Sequence, residues 1–381
     1  MRIPLRSCVG CTLAAVAIAP AAQAEDVVES GMDTEYKTVE LVRVAEGFEH
    51  PWGVAFLPDG DYLITERPGR LQRVSGDEVT EISGAPEVHA ENQGGLLDVV
   101  LHPDYDGNGW VYLTYSLGDA DATSTALARA RLEGDALVDL ETLFEQDRRS
   151  DPGRHYGSRL VWMDDGTLLM TIGDRGVEPE RAQDPADHAG SVIRLNDDGS
   201  VPEDNPFVDD DDVLPEIYSW GHRNIQGMVV DPDTGEVWAT EHGPRGGDEL
   251  NRIEAGKNYG WPAVTRGRDY GTQEQFDGSA RVHEDDMVEP VYEFLPTHAP
   301  SGLAMITGDM FRAWKGDLMA GGLRGERVRR VVLEDGEVVH EEELFYQDIG
   351  RIRDVREGPD GALYLLNDAS DGALYRVTAQ E

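Results

Sequence analysis

A turn built on Asp-Gly, followed at once by a short alternating apolar strand, returns six times along the chain, and no other feature restricts its fold as much. It reads Pro58-Asp59-Gly60 before Tyr62-Leu63-Ile64-Thr65, and Asp106-Gly107-Asn108-Gly109 before Trp110-Val111-Tyr112-Leu113. It returns as Asp165-Gly166 before Leu168-Leu169-Met170-Thr171, as Pro232-Asp233-Thr234-Gly235 before Val237-Trp238-Ala239-Thr240, and as Pro359-Asp360-Gly361 before Leu363-Tyr364-Leu365-Leu366. A degenerate copy is Lys315-Gly316-Asp317 before Leu318-Met319-Ala320. Sustained helical periodicity is nearly absent, so the pattern predicts an all-β chain. Six copies leave roughly 60 residues per unit, enough for a four-stranded sheet plus long loops. Sheets arranged radially hide their edges. The expectation is therefore a six-bladed β-propeller with four-stranded antiparallel blades; a two-sheet sandwich is the competing arrangement and leaves the wide repeat spacing unexplained.

Residues 1–24 predict a secretory leader. Met1-Arg2-Ile3-Pro4-Leu5-Arg6 is basic, an Ala-rich apolar run follows from Val9 to Ala22, and Ala22-Gln23-Ala24 fits an A-x-A cleavage pattern. The run is short and Ala-rich for a membrane span, which needs about 20 strongly apolar residues. Both cysteines, Cys8 and Cys11, fall inside the leader, so their C-x-x-C spacing carries no redox or metal reading for the mature chain. Residues 25–381 then form a single domain, periplasmic or secreted, with no stable membrane insertion, as a monomer or homodimer.

Charge narrows the partners. The chain carries 75 Asp plus Glu against 33 Lys plus Arg, a formal net charge of −42, which excludes nonspecific nucleic-acid binding through clustered cations. The acids are spread along the chain, with one dense run at Asp209-Asp210-Asp211-Asp212, so they are not a disordered tail. Lysine is confined to Lys37, Lys257 and Lys315. This balance suits a halophilic-type acidic surface, where the Debye length shrinks to roughly 3 Å at 1 M salt; a GC-rich genome would explain the missing Lys but not the excess carboxylates.

If the repeats are scaffold, chemistry belongs in the loops at one end of the central channel. Several inter-repeat segments are dense in Gly, His, Arg, Asn and Gln: Glu91 to Asp98, Arg154-His155-Tyr156-Gly157-Ser158-Arg159-Leu160, Gly221-His222-Arg223-Asn224-Ile225-Gln226-Gly227, Glu241 to Glu249, and Arg351-Ile352-Arg353-Asp354-Val355. Several Arg in so acidic a protein imply a polyanionic ligand held by bidentate Arg–carboxylate bonds. P-loop, Rossmann and H-E-x-x-H motifs are absent from the sequence.

At these segments the chain resembles the soluble, periplasmic PQQ-dependent aldose sugar dehydrogenases, related to soluble quinoprotein glucose dehydrogenase. The likeness runs from about Val42 to Val377 and rests on Gln93-Gly94-Gly95-Leu96-Leu97-Asp98-Val99, Thr171-Ile172-Gly173-Asp174, Gly221-His222-Arg223-Asn224, the run from His242 through Gly260-Trp261-Pro262, and Arg351-Ile352-Arg353-Asp354-Val355. It implies a six-bladed propeller holding pyrroloquinoline quinone (PQQ) and calcium. His155 matches the general base, taking the anomeric hydroxyl proton while hydride passes from the sugar C1 to the quinone; imidazole titrates near pH 6.5, which suits that task. Asp174 would orient the imidazole, and Arg223 would stabilise charge developing on the reduced cofactor. Gln93, Arg223 and Asn224 match groups around the quinone. Thr297, Arg324, Arg351 and Arg353 match contacts to its carboxylates, and Tyr270 lines the same pocket in this reading. The carbonyls of Gly243 and Pro244 match ligands of the calcium that meets the quinone; Glu249 and Tyr259 match a second, structural calcium.

The pattern is broken at four places. Arg154 precedes the presumed base where glucose-specialised relatives carry Asp, so glucose specificity does not carry over. Arg324 replaces a Lys, and Ser158 and Ile225 replace Gly and Pro. The expected activity is oxidation of aldoses at C1 to lactones, with electrons passed to an external acceptor; a calcium-dependent lactonase and a non-enzymatic recognition propeller are the alternatives.

Overall fold

Each of the six Asp-Gly turns joins the first strand of one sheet to its second. The computed structural model describes residues 26–380 apart from 152, 277, 281, 282, 284 and 285, so the leader and both cysteines lie outside the described residues. Blade 1 comprises Pro51–Phe56, Tyr62–Glu66, Arg70–Ser75 and Glu78–Ile82; blade 2 Leu96–Leu101, Trp110–Gly118, Thr123–Glu133 and Ala136–Glu145. Blade 3 comprises Leu160–Trp162, Leu168–Ile172, Ser191–Leu195 and Ile217–Trp220; blade 4 Ile225–Val230, Val237–Glu241, Asp248–Ile253 and Tyr292–Phe294. Blade 5 comprises Pro300–Met305, Leu318–Gly322, Arg327–Glu334 and Glu337–Leu344. Blade 6 takes Ile352–Glu357, Leu363–Asn367 and Gly372–Ala379 from the C-terminal end and Thr38–Phe48 from the N-terminal end.

First strands of successive blades touch in order, and the sixth touches the first, which closes the ring. Thr38–Phe48 pairs antiparallel with Gly372–Ala379, from Val39 opposite Ala379 to Phe48 opposite Gly372. The expectation of four-stranded blades holds for four sheets. Blade 6 gains a fifth strand, Asp26–Asp33, on its outer edge, and blade 3 gains Lys257–Asn258, which pairs in parallel. Both cover an edge that would otherwise be open to pairing.

The alternating apolar strands are buried on both faces, and alternate residues serve different cores. Leu63 packs between blades 1 and 2 while Ile64 packs between blades 6 and 1. Tyr112 and Leu113, Leu169 and Met170, Trp238 and Ala239, and Leu365 and Leu366 divide in the same way. Each of the Leu, Ile and Met side chains among them contributes about 1.5–3 kcal/mol on burial.

Charged groups plug the axis. Asp98 on blade 2 accepts from Arg159 Nη1 at 3.1 Å, from the Leu160 amide at 2.8 Å and from Arg356 Nη2 at 2.8 Å. Asp354 on blade 6 accepts from Arg356 Nε at 3.0 Å and lies 2.9 Å from Arg159. Asp98, Arg159 and Asp354 are buried. Glycine makes room for the two carboxylates: a Cβ on Gly53 would stand 2.8 Å from an Asp98 oxygen, and one on Gly302 would stand 2.4 Å from an Asp354 oxygen. This quartet, with Arg356 half-buried, ties blades 2, 3 and 6 together and fills the channel beneath the loops that carry the predicted site.

Candidate active site

Second strands, five residues long except for the nine of Trp110–Gly118, carry the chain from the Asp-Gly turns to the opposite end of the ring, at about 3.3 Å per residue. There they meet the loops that lead into each first strand, and a cavity of about 540 Å³ opens among them. Its wall includes Trp52, Arg67, Gln93, Tyr156, Asn224, Gln226, His242, Arg351, Arg353 and Asp368.

His155 sits at φ +54° in the loop entering blade 3, held by its amide donating to Gln93 Oε1 at 2.8 Å. Gly173 packs against it so closely that a Cβ there would stand 2.1 Å from the His155 carbonyl oxygen. Its Nδ1 lies 2.6 Å from Asp174 Oδ1, which also accepts the Gly176 amide at 2.7 Å; Asp174 Oδ2 accepts Trp261 Nε1 at 2.7 Å. Asp174 is buried and stays ionised, because His155 and Arg223 hold its carboxyl below the usual range against the cost of burial. Burial and the Arg223 charge push His155 below its ordinary value, with Asp174 opposing. A neutral imidazole whose Nδ1–H is committed to a carboxylate leaves Nε2 free to take a proton.

Cations gather on the blade 6 side. Arg351 and Arg353 reach Asp368 Oδ2 at 3.0 and 3.2 Å, and Arg67 approaches its other oxygen at 3.6 Å. Arg353 also donates to Gln226 Oε1 at 3.1 Å, and burial pulls its guanidinium down to about 10. Three arginines face one carboxylate, which leaves cationic capacity. Arg67 Nε, Arg223 Nε, Arg353 Nε and His242 Nε2 are buried without a partner among the described residues. An anion with several carboxylates, such as PQQ, fits this arrangement of charge and orphaned donors.

Behind Arg223 and His242 lies a second, small cavity of about 10 Å³, lined in part by Glu241, Gly243, Glu249, Tyr259 and Thr265. That is about the space of one ion or water. Burial and the neighbouring Glu241 push Glu249 up to about 8, so the two carboxylates call for a cation or a proton between them. Asn251 Nδ2 donates to both, at 3.3 and 3.4 Å. Glu241, Glu249, Tyr259 and Thr265 offer oxygen, as calcium prefers, on a wall that also carries Arg223 and His242. Gly243 is fixed by its amide donating to Asp248 Oδ1 at 3.1 Å, and Pro244 packs against Gly267.

The structure thus brings His155, Asp174, Arg223, Asn224, Gln93, Arg351 and Arg353 together, and Gly243, Glu249 and Tyr259 beside them. It does not bring Pro244, Tyr270, Thr297 or Arg324 into the cavity walls. Tyr270 is 62% exposed in a turn organised by Asp269, whose Oδ1 accepts the Gly271 and Thr272 amides; Thr297 and Arg324 are exposed, Thr297 beside Gly246 and Arg324 in the turn after Leu318–Gly322. Arg67, Trp52, Glu241, His242 and Asp368 were missed as site residues. A spacing would have found three of them: Arg67, His242 and Asp368 each stand seven residues after a turn glycine, Gly60, Gly235 and Gly361.

Residues 48–376 match the family model described as glucose/sorbosone dehydrogenase. The aldose sugar dehydrogenase YliI of Escherichia coli is 39% identical over 348 residues, covering 90% of this chain and 93% of that one. The crystal structure of the soluble aldose sugar dehydrogenase from E. coli in the apo form superposes with a TM-score of 0.86 at 38% identity, covering 90% of this chain and all of that one. The PQQ-bound aldose sugar dehydrogenase from Streptomyces coelicolor superposes at 0.72 and 28% identity, over 90% of this chain and 99% of that one.

Proposed function

The chain belongs to the glucose/sorbosone dehydrogenase family, and on that premise we propose that it oxidises the C1 hydroxyl of aldose sugars to lactones with PQQ and calcium, passing electrons to an external acceptor. The observation that carries this reading is the His155–Asp174 pair set against an arginine-rich cavity with orphaned donors. His155 Nε2 takes the proton of the anomeric hydroxyl, and Asp174 keeps the imidazole in the required tautomer and stabilises it once charged. Arg67, Arg351 and Arg353 hold the cofactor carboxylates while Asp368 keeps the three guanidinium groups in place. Arg223, over the Trp261 ring at 5.3 Å, offers positive charge where negative charge grows. PQQ, when bound, supplies the acceptor for the C1 hydride. The Gly243 and Pro244 carbonyls would hold a calcium, which would supply Lewis-acid chemistry beside the cofactor, and Glu249, Glu241 and the Tyr259 carbonyl would hold a structural one. Removal of residues 1–24 on export would place the enzyme in the periplasm or outside the cell. Among the described residues no helix is long and apolar enough to cross a membrane.

Purified protein supplied with PQQ and calcium should reduce a redox dye when given aldoses. Silence across a panel of aldoses, with no quinone absorbance retained after gel filtration, would overturn the reading.

A further inference from the structure

A second large cavity, of about 650 Å³, opens beside the loop that carries His155 and shares Gln93, which holds the His155 amide, with the first. Its cations differ from those of the channel. Arg67, Arg351 and Arg353 each pair with Asp368, whereas Arg154 and Arg175, which line this second cavity, have no ion-pair partner among the described residues. Arg175 is buried over the Tyr156 ring at 3.6 Å, its Nη atoms spent on the Arg154 carbonyl at 2.6 Å and Thr123 Oγ1 at 2.9 Å, and its Nε has no partner. Arg154 is exposed but not loose. Its Nη2 donates to the Gly176 carbonyl at 2.7 Å, and its side chain lies against Gly176, where a Cβ would stand 2.5 Å from Nε. Asp151, itself exposed, is the one carboxylate on this wall among the described residues.

In a chain of net charge −42, an anionic substrate is repelled by the whole molecule and needs local unpaired cations to enter; a neutral sugar needs none. The cofactor's carboxylates have their own arginines in the other cavity, so Arg154 and Arg175 are surplus to them. We propose that the cavity beside His155 is an anionic subsite, in which an aldose presenting C1 to His155 sets a carboxylate or phosphate at its far end against Arg154. The inference rests on the dehydrogenase reading for the position of C1. Two sources share this chemistry, aldoses with a terminal carboxylate and aldose phosphates, and the test separates them.

Calorimetric titration of the holoenzyme at low salt with glucuronate, glucose 6-phosphate and glucose, alongside kcat/KM for each, decides the matter. One or both anions should bind at least tenfold more tightly than glucose and be the better substrates. The preference should fall about ten- to hundredfold in Arg154→Gln, the scale of one charge-assisted contact, survive in part in Arg154→Lys, and shrink in molar salt. Equal or weaker binding of both anions, or a preference untouched by Arg154→Gln, overturns the subsite. Turnover of glucose without anion preference sinks the subsite and keeps the dehydrogenase. Tight anion binding lost in Arg154→Gln, with no sugar oxidised, keeps the subsite and sinks the dehydrogenase.

Discussion

The two ends of the propeller solve the same problems in opposite ways. At the end that carries the Asp-Gly turns, acids satisfy themselves locally: Asp59, Asp165, Asp231 and Asp360 each accept the backbone amide two residues on. Left-handed backbone in those turns falls on glycine, at Gly60, Gly109, Gly166, Gly235, Gly316 and Gly361. At the mouth, Asn92, His155, Ser158 and Arg175 hold left-handed conformations with side chains attached, and Arg67, Arg175, Arg223, His242 and Arg353 leave buried nitrogens without partners among the described residues. Unsatisfied donors and strained backbone persist only where the surrounding structure forces them. One end is built for stability, and the other gives stability up for binding.

The sharpest way to break this contrast is to remove the base. His155→Ala should lower kcat by about 10²- to 10⁴-fold, the range for a positioned general base, while Asp165→Asn at the turn end leaves kcat alone; steady-state rates check both, and a His155→Ala variant with full activity would remove the proposed mechanism. The axial quartet lies between the two ends and belongs to neither. Asp98→Asn leaves Arg159 and Arg356 short of a counter-charge and should cost about 3–5 kcal/mol in denaturant unfolding.

Proton linkage sharpens the contrast further. Glu249 titrates higher in the folded chain than its unfolded value near 4.5, so the folded state holds the extra proton and its contribution is complete at low pH. In chelator, the melting temperature should therefore fall as pH rises from about 4.5 towards 8, and calcium should flatten the fall by replacing that proton. Arg223 pushes His155 down and Asp174 pushes it up. Arg223→Gln should move the acidic limb of the kcat/KM profile to higher pH and Asp174→Asn should move it to lower pH; shifts in the same direction would refute the electrostatic account. The smallest effect is at Ser158, whose φ of +80° a glycine would relieve. Ser158→Gly should stabilise the fold by about 1 kcal/mol in thermal melts.

How much was legible follows the same division. The turn end could be read residue by residue, because Asp-Gly before an alternating apolar run is a local signal and each copy reports one blade. Extra edge strands were not legible: Asp26–Asp33 is almost wholly exposed, and Lys257–Asn258 is two residues long, so neither leaves an apolar pattern. At the mouth, His155, Asp174 and Arg223 could be placed from motif resemblance, since each stands in a long Gly-rich segment. Arg67 and Asp368 could not, because Glu66-Arg67-Pro68 and Asn367-Asp368 look like ordinary strand ends. Only their spacing, seven residues after a turn glycine, marks them before the ring brings the strand ends of blades 1 and 6 together. Tyr270 failed for the converse reason, as a suitable residue type in a loop that the fold turns outward.

The pairing of Thr38–Phe48 with Gly372–Ala379 also sets an order of events. Blade 6 needs both ends of the chain, so a ribosome must finish the polypeptide before the ring can shut, and the arginines on blade 6 meet His155 only then. A chain missing its last dozen residues would keep most of its hairpins and lose the circle, and with it the catalytic assembly. A nascent chain is thus idle until complete.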